Sequence, residues 1–506
     1  MSSITANHSL SRGTPLLLIA SMGCAMTVLD TNVVGIVLPT IARELNASFA
    51  DIEWVISAYV LCFAALLLPA GSLADRFGRK RVFLIGVALF AAASLACGVA
   101  PSAALLYVSR AVQGVGAAFL LAPALAIIGH AFHDERERAR AWAVWGGIMG
   151  LTMVLSPLLG GVINAWLGWR WAFGINVPIC ALLATGVVRI VDESRDPTPR
   201  SLDLWGIALF AAAMFALTWA LIAGPEQGWL STAVAWRASA GVALFAAFVG
   251  VEKRCAHPML DLALFRSLPF VGAIVAMFAY ASSAQVMASL LPLFLQNVRG
   301  ESALGAGVGM LPFALAMLVF PQLGRKLAAY MDSRRILTLG LTVVACGNLA
   351  MMAAARSTSL AWLIVAMALL GSGGGLLNGE TQKAIMGTVP RERAGMASGI
   401  STTSRFTGIL LGFSGLGAVL AGGVRSTLSG QMAHAGLPIA PGFVERVMAG
   451  DFERAFALYA PASMESLVRV AHASYGSGFA RAFCAAAIVA GAAASIVSLS
   501  MKRSKR

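Results

Sequence analysis

Three ionisable side chains lie within long apolar runs of this 506-residue sequence, namely Asp30, Arg110 and Glu380. A carboxylic acid in an apolar environment favours its protonated form, so Asp30 and Glu380 are candidates for binding and releasing a proton. The alternative for Asp30 is a structural acid held by hydrogen bonds, and the alternative for Glu380 is an ion pair with Lys383. Because an apolar environment makes a charge costly, Arg110 should face a partner or a cavity, unless its long side chain reaches the edge of the run.

Four amide side chains lie close to these charges along the sequence, and they are Asn32, Gln113, Asn378 and Gln382. Arg110 and Gln113 share one helix face because three residues separate them. Asn378 and Gln382 share another face, while Glu380 would point about 200° away from Asn378 on a regular helix. We expect the four amides to line a substrate cavity.

The composition determines which elements must hold these residues. Hydrophobic residues make up 58% of the chain and charged residues 12%, and the mean hydropathy is +0.80. A soluble domain has about 25% charged residues, so a soluble enzyme is excluded. A bilayer core of ~30 Å requires about 20 residues of helix whose backbone satisfies its own hydrogen bonds. The sequence therefore predicts an all-α membrane protein.

The apolar runs predict fourteen membrane-spanning helices. They lie near residues 15–40, 52–74, 82–100, 103–128, 139–165, 171–191, 204–223, 233–251, 268–295, 304–323, 336–355, 359–387, 395–422 and 476–500. Polar connections separate six spans, two additional spans and a second six. We accordingly divide the chain into an N-terminal six-helix bundle (1–191), a linker with two additional transmembrane helices (192–266) and a C-terminal six-helix bundle (267–506). The last of these includes a long outer segment (423–475), in which an amphipathic helix is expected on the outer surface.

Basic residues predict the orientation of the chain. All six lysines fall in connections or tails on one predicted side, or close to it, and they are Lys80, Lys253, Lys326, Lys383, Lys502 and Lys505. Since Lys and Arg favour cytoplasmic connections, we expect both termini to be cytoplasmic and the protein to lie in the cell inner (plasma) membrane. Because the basic residues lie in the connections, we attribute the net charge of +14 to the orientation of the helices in the membrane. The same distribution argues against nucleic acid as a partner.

The connection between the second and third spans combines glycines with charges and reads GSLADRFGRKR. Glycines permit a tight turn, and an acid there can pair with basic residues in one conformation and release them in another. We call Gly71, Asp75, Arg76, Gly78 and Arg79 the gating loop. A weaker copy, GRKLAAYMDSRR, occupies the corresponding place in the second group of six spans.

The fifth span carries small residues at helical spacing around a proline, in the run GGIMGLTMVLSPLLGG. Small residues allow close helix packing, and a proline removes a backbone donor and bends a helix. We call Gly150, Ser156, Pro157, Gly160 and Gly161 the glycine row. It predicts a bent helix that approaches a neighbour closely.

Several motifs together resemble those of the major facilitator superfamily. They are LDTNVVGIVLP in the first span, GSLADRFGRKR, LLYVSRAVQGVGAAF in the fourth span and the glycine row, where Ser156 replaces a usual glycine. The first is similar to a motif of fourteen-span drug:proton antiporters of the EmrB/QacA type, with Asn32 in place of threonine. WRWAFGINVP, HPMLDLALFR and VPRERAGMASG extend the similarity over almost the whole chain. The resemblance implies the major facilitator fold, a role for Arg110 in proton transfer and a role for the glycine row in export.

These features predict proton-coupled efflux of small lipophilic or cationic compounds by alternating access, with Asp30, Arg110 and Glu380 coupling the proton. A proton-coupled transporter of an endogenous metabolite or siderophore is one alternative, and a non-transporting membrane receptor is another. An enzyme is not expected, because no His-containing cluster lies within the spans.

The expected partners are the substrate, protons and the lipid bilayer. A periplasmic adaptor could contact the outer segment, and a monomer is expected. We expect no cofactor and no metal, because no phosphate-binding motif is present and the seven cysteines lack zinc spacing.

Overall fold

A computed structural model describes residues 2–132, 134–196, 203–255, 258, 260, 262–357, 359–389, 394–434, 438–457, 459 and 464–501. Fourteen helices in this part of the chain are long and apolar enough to cross a membrane, which confirms the predicted number. The terminal Lys502 and Lys505 lie outside the described residues, as do parts of the predicted connections, at 197–202 and 390–393. Part of HPMLDLALFR also lies outside them.

We label the spans in chain order. They are α1 (Gly13–Leu45), α2 (Phe49–Phe77), α3 (Arg79–Gly98), α4 (Ala103–Ala131), α5 (Arg140–Trp166), α6 (Arg170–Ile190), α7 (Leu204–Gln227), α8 (Thr232–Glu252), α9 (Leu268–Asn297), α10 (Ala303–Leu327), α11 (Ser333–Ala354), α12 (Leu360–Gly387), α13 (Ala397–His434) and α14 (Glu465–Ser500). An even number of crossings brings both ends of the chain to one side, which we call the termini side; we call the other the far side.

Polar residues define where many of these helices begin. In seven spans a serine or aspartate side chain accepts a hydrogen bond from the backbone of the first helical turn. These caps are Ser48, Ser102, Asp203, Ser231, Ser302, Asp332 and Ser359. Each satisfies a backbone donor that the helix itself leaves free, and an N-cap of this kind contributes about 1 kcal/mol.

Two groups of six helices, α1–α6 and α9–α14, meet along three seams. In these seams α1 packs on α9, α2 packs on α13, and α5 packs on α10. The two additional helices, α7 and α8, pack on each other, and α7 also contacts α2 and α13. The extra pair therefore covers one of the three seams.

The predicted outer segment is shorter than expected and is partly helical. The thirteenth helix continues to His434, and the helix that contains α14 begins at Met464. Between them, two short helices, Phe443–Met448 and Phe452–Phe456, replace the single surface helix that we predicted. Their apolar side chains are buried against the protein, and the Tyr475 hydroxyl of α14 donates to the Met448 carbonyl. This segment thus packs on the far end of α14; residues 435–437, 458 and 460–463 of the prediction lie outside the described part.

Candidate functional site

A buried ion pair joins α1 to α4. Arg110 Nη1 lies 2.5 Å from Asp30 Oδ2, and each of the two residues is 1% exposed. Arg110 lies two turns into α4, and its side chain points into the bundle towards the Asp30 carboxylate. Of the two alternatives for Arg110, a partner and the membrane edge, the structure favours the partner.

Amide groups surround the other carboxylate oxygen. Gln113 Nε2 donates to Asp30 Oδ1 over 2.9 Å, and Asn176 Nδ2 of α6 donates to the same oxygen over 2.8 Å. The Ser94 hydroxyl of α3 accepts from Gln113 over 2.8 Å and from Asn176 over 3.3 Å. Four helices therefore hold one carboxylate, and its negative charge is satisfied at both oxygens.

Arg110 has partners besides the carboxylate. Its Nε donates to the Val55 carbonyl of α2 over 3.1 Å, and its Nη1 also donates to Gln113 Oε1 over 2.7 Å. The guanidinium carbon lies 4.2 Å from the centre of the Tyr59 ring, which is a cation–π contact. These contacts can hold the guanidinium when Asp30 is neutral.

The network lies inside the N-terminal bundle. Gln113, which we expected on a cavity wall, has no exposed surface and belongs to this network. Ser94 and Asn176 were missing from the sequence prediction, although Asn176 is a polar residue within the apolar run WRWAFGINVP. Its spacing along α6 gave no indication that it faces α1, because that depends on how the helices pack.

A second face of α1 meets the C-terminal bundle. A Cβ at Gly35 would lie 3.5 Å from the Ser289 carbonyl of α9, and Gln296 Nε2 donates to the Ile36 carbonyl over 2.9 Å. Asn32 is half-buried one turn before these residues and donates to the Val28 carbonyl over 2.9 Å. Helix α1 thus connects the ion pair on one side to the seam on the other.

Glu380 lies away from this network. Its carboxylate accepts a hydrogen bond of 2.6 Å from the Ser333 hydroxyl at the start of α11, and Lys383 lies 3.3 Å away. Glu380 lies within α12, as predicted, and since α11 begins on the termini side, it lies towards that end of the span. The structure favours the ion pair with Lys383 and does not bring Glu380 close to Asp30.

Helix α12 breaks just before this acid. Asn378 has ψ +47° and Gly379 has φ 170°, neither of which is helical. The predicted angle of about 200° between Asn378 and Glu380 assumed a regular helix and is therefore wrong here. Gln382 lies beyond the break, where it donates to Ser398 and accepts 2.5 Å from Ser401, so it is tied to α13. The half-buried Asn378 lies at the break itself.

The gating loop docks on its own bundle. Asp75 Oδ1 accepts from Arg79 Nη2 over 2.8 Å, and the Arg79 amide donates to the Ser194 carbonyl over 3.0 Å. Gly78 has φ +114°, and a Cβ there would lie 2.5 Å from the Glu193 carboxylate, so both the turn and the close approach require glycine. Arg76 is exposed and lies over the Phe77 ring, whereas Gly71 is half-buried, with a Cβ position 3.8 Å from Ala122 of α4.

The glycine row brings the two bundles together in the middle of the membrane, at Gly150, and in the far half, at Pro157 and Gly161. A Cβ atom built at Gly161 would lie 2.9 Å from the Ala303 carbonyl oxygen. A Cβ atom built at Gly150 would lie 2.7 Å from the Leu318 side chain. The Pro157 carbonyl lies against Gly307 of α10, where a Cβ would be only 2.6 Å from it.

The remaining members of the row face the N-terminal bundle or their own helix. Gly160 faces Val33 and Ile36 of α1 instead, and the buried Ser156 hydroxyl donates to the Thr152 carbonyl of its own helix over 2.5 Å. Helix α5 is assigned as continuous through Pro157. Nearer the termini side, Cβ atoms at Gly146 and Gly147 would have no described atom within 4 Å. The seam is thus tight in its far half and loose towards the termini.

Glu53 and Arg405 are among the charged residues within the spans that the sequence analysis did not single out. Glu53 of α2 is only 2% exposed, and its Oε1 has no hydrogen-bond partner among the described residues. It faces Gly417 of α13 across a seam. Arg405 of α13 is half-buried, and its Nε donates to Gln285 Oε1 of α9 over 3.0 Å.

Comparison with known proteins places the chain in context. A family model described as Major Facilitator Superfamily matches residues 20–413. The chain is 37% identical over 422 residues to Multidrug resistance protein Stp of Mycobacterium tuberculosis (strain CDC 1551 / Oshkosh), covering 83% of this chain and 78% of that protein. It is 33% identical to Multidrug efflux pump LfrA of Mycolicibacterium smegmatis, covering 97% and 95%.

Further similarities extend over the whole chain. Tetracenomycin C resistance and export protein of Streptomyces glaucescens is 32% identical, with coverage of 96% of this chain and 91% of that protein. Among solved structures, an inward-facing, occupied bacterial homolog of the human lysosomal transporter Spinster aligns with a TM-score of 0.64. It is 17% identical and 97% of each chain is covered, a likeness that concerns the fold.

Proposed function

The chain belongs to the major facilitator superfamily, and we propose on this basis that it exports small molecules in exchange for protons by alternating access. The observation that carries the proposal is the ion pair of Asp30 and Arg110, buried at the junction of four helices. An ionisable pair inside a membrane protein is costly, which favours a functional role for it over a purely structural one. The names of the relatives Stp and LfrA, which describe multidrug resistance and efflux, support export as the direction.

The proposed coupling step is the protonation of Asp30. A proton on the carboxylate removes its attraction for Arg110, while the Val55 carbonyl, Gln113 and the Tyr59 ring still hold the guanidinium. Helix α1 is then less tightly bound to α4. In this proposal the proton arrives from outside and leaves to the cytoplasm, which restores the ion pair.

Helix α1 would transmit this change to the seam between the bundles. The same helix that carries Asp30 accepts the bond from Gln296 at Ile36 and packs against Gly160 of α5. A shift of α1 relative to α4 therefore alters contacts that close the far half of the protein. Such a two-state element, biased by one charge, is what alternating access requires.

We place the termini side in the cytoplasm and the protein in the inner membrane, following the basic connections. The far side is then the outside, where the α5–α10 seam is tight. The gating loop would control the inner side, with the bond between Asp75 and Arg79 breaking when the bundles rock. Glu380, which accepts a hydrogen bond from Ser333, would act on the same cytoplasmic side as the gating loop.

The energy available is sufficient for export. Each 100 mV of membrane potential is worth ~2.3 kcal/mol per elementary charge, so one proton supports about a 50-fold gradient. We propose small lipophilic compounds as the substrates, with the cavity wall including Asn32, Asn378 and Gln382. Transport of an endogenous metabolite is the second candidate. We further propose a monomer, whose outer segment is available to a periplasmic adaptor.

The proposal is tested by transport in proteoliposomes with an imposed pH gradient. A panel of cationic, neutral and anionic fluorescent compounds is measured with wild type, with Asp30→Asn and with Glu44→Gln as the matched control. Glu44 is a half-exposed acid near the far end of α1, paired with Arg170 over 2.7 Å. We expect Asp30→Asn to abolish transport driven by the pH gradient and the control to retain it.

Full pH-driven transport by Asp30→Asn would refute the coupling role, and no gradient-driven movement of any compound by wild type would refute export. A receptor would bind a compound without moving it, so binding measured on the same samples separates the two classes. Monodispersity of each variant on size exclusion shows that it is folded.

A further inference from the structure

Arg405 is a positive charge at mid-membrane depth, and the part of the chain that the structure describes gives it no carboxylate partner. The neighbouring Phe406 packs on Phe63 with ring centres 4.3 Å apart, and Phe63 lies midway along α2 (Phe49–Phe77). Arg405 is therefore in the middle of the membrane. Among the described residues no carboxylate lies within ion-pair distance of its guanidinium, and the bond to Gln285 uses only Nε.

Two other charged sites within the bundles are ion pairs. Asp30 and Arg110 neutralise each other inside the N-terminal bundle. Glu380 and Lys383 form a pair at the termini side. Arg405 therefore contributes a net positive charge on its own, in surroundings where a charge is costly without a partner.

The neighbours of Arg405 lie at the seam between the bundles. The residue itself is half-buried, and contact of its charge with lipid would be strongly unfavourable at this depth. Phe406, the next residue along α13, is in the seam with α2. One to two turns before Arg405 on α13, Ser401 and Ser398 contact Gln382 of α12. Arg405 thus lies beside the seam on a polar stretch of α13.

A second polar group nearby lacks a partner. Tyr280 of α9 is 1% exposed, and its hydroxyl has no hydrogen-bond partner among the described residues. Tyr280 lies five residues before Gln285, the hydrogen-bond partner of Arg405, on the same helix. Tyr280 and Gln285 are the first and last residues of a π-helical stretch in α9, a feature that often marks functional sites.

From these contacts we propose that Arg405 binds an anionic group of the substrate, a carboxylate or a comparable acidic oxygen, in the cavity between the bundles. The planar guanidinium has donors beyond Nε that can engage two oxygens of such a group. An uncompensated positive charge disfavours a cation at the same place. This inference rests on the proposed export function and replaces cationic compounds by acidic ones as the preferred substrates.

The test measures equilibrium binding to the purified full-length protein in nanodiscs, so that it does not depend on transport. The probes are aromatic carboxylic acids, each paired with its own neutral methyl ester, and ethidium as a lipophilic cation. For wild type we expect the acids to bind more tightly than their esters. In Arg405→Gln we expect the affinity for the acids to fall about 10- to 100-fold, the range for losing hydrogen bonds to a charged group, with the esters unchanged.

Two further variants make the result specific. Arg405→Lys keeps the charge without the planar fork, and we expect it to recover part of the affinity for acids. Arg237→Gln is the matched control, because Arg237 of α8 also bonds a glutamine, Gln227, over 3.0 Å but at the far end of the additional helix pair. We expect it to bind all probes as wild type does.

The inference is overturned if no acid binds, if esters bind as tightly as their acids, or if Arg405→Gln lowers the affinity for both alike. Transport of the same probes is then measured separately. Gradient-driven transport of esters or ethidium without any preference for acids would leave the export proposal standing while removing this one.

Discussion

The tight contact between Gly161 and α10 predicts that a single methyl group will shift the balance between conformations. In the closed far half of the seam, a Cβ at Gly161 would lie 2.9 Å from both the Ala303 carbonyl and the Leu304 Cα. These are backbone atoms, which cannot move aside as a flexible side chain can. Gly161→Ala therefore strains this conformation, and the strain is released when the bundles separate on the far side.

The size of the shift follows from the cost of overpacking. Inserting a methyl group into a well-packed contact costs about 1–3 kcal/mol. Because the strain acts only on the form with the far side closed, it should change the ratio of the two forms by about 5- to 150-fold. Gly146→Ala is the matched control on the same helix, since a Cβ there would have no described atom within 4 Å.

The assay is a pulsed EPR distance measurement across the far side of the seam. Spin labels at Leu167 and Glu301, both exposed next to the seam, are introduced into a background whose native cysteines are replaced. We expect Gly161→Ala to enrich the longer distances and to slow efflux, and Gly146→Ala to give the wild-type distribution. Identical distributions in the two variants would show that the contact does not limit the closed form.

Three further changes give measurable outcomes. Arg110→Ala leaves Asp30 buried without its ion-pair partner and should lower the free energy of unfolding by about 3–5 kcal/mol. Thermal unfolding in detergent measures this loss, and an unchanged midpoint would contradict a structural contribution of the pair. Gly78→Ala introduces a side chain at φ +114°, where Glu193 is also in the way, and should lower stability by about 1–3 kcal/mol while Gly147→Ala has little effect. Glu53→Gln should fold as well as wild type, because its buried Oε1 has no donor to lose; marked destabilisation would mean that Glu53 is ionised and paired in the folded protein.

The sequence was sufficient for the fold because the bilayer imposes helices and a minimum length on every apolar run. It also placed Asp30 and Arg110 within spans, since a lone charge in an apolar run is conspicuous. It could not pair them with Asn176, because that contact depends on how α6 packs against α1 and not on spacing along either helix.

Two features of the C-terminal bundle were not predicted, each for a local reason. The angle between Asn378 and Glu380 was inferred from a regular helix, but the backbone leaves the helical region at Asn378 and Gly379. Arg405 was not predicted as a site residue, because it lies in a run of serines and threonines whose polarity is typical of a protein surface. In the fold this polar run adjoins the seam with the N-terminal bundle.

The additional helix pair makes the two sides of the molecule unequal towards the bilayer. Since α7 contacts both α2 and α13, lipid cannot reach the junction of those two helices directly. The junction of α5 and α10 has no such cover among the described residues, and exposed leucines and valines flank it, with Leu151 53% and Val319 56% exposed. The α5–α10 flank of the protein is therefore open towards the bilayer, whereas the α2–α13 flank is shielded by α7.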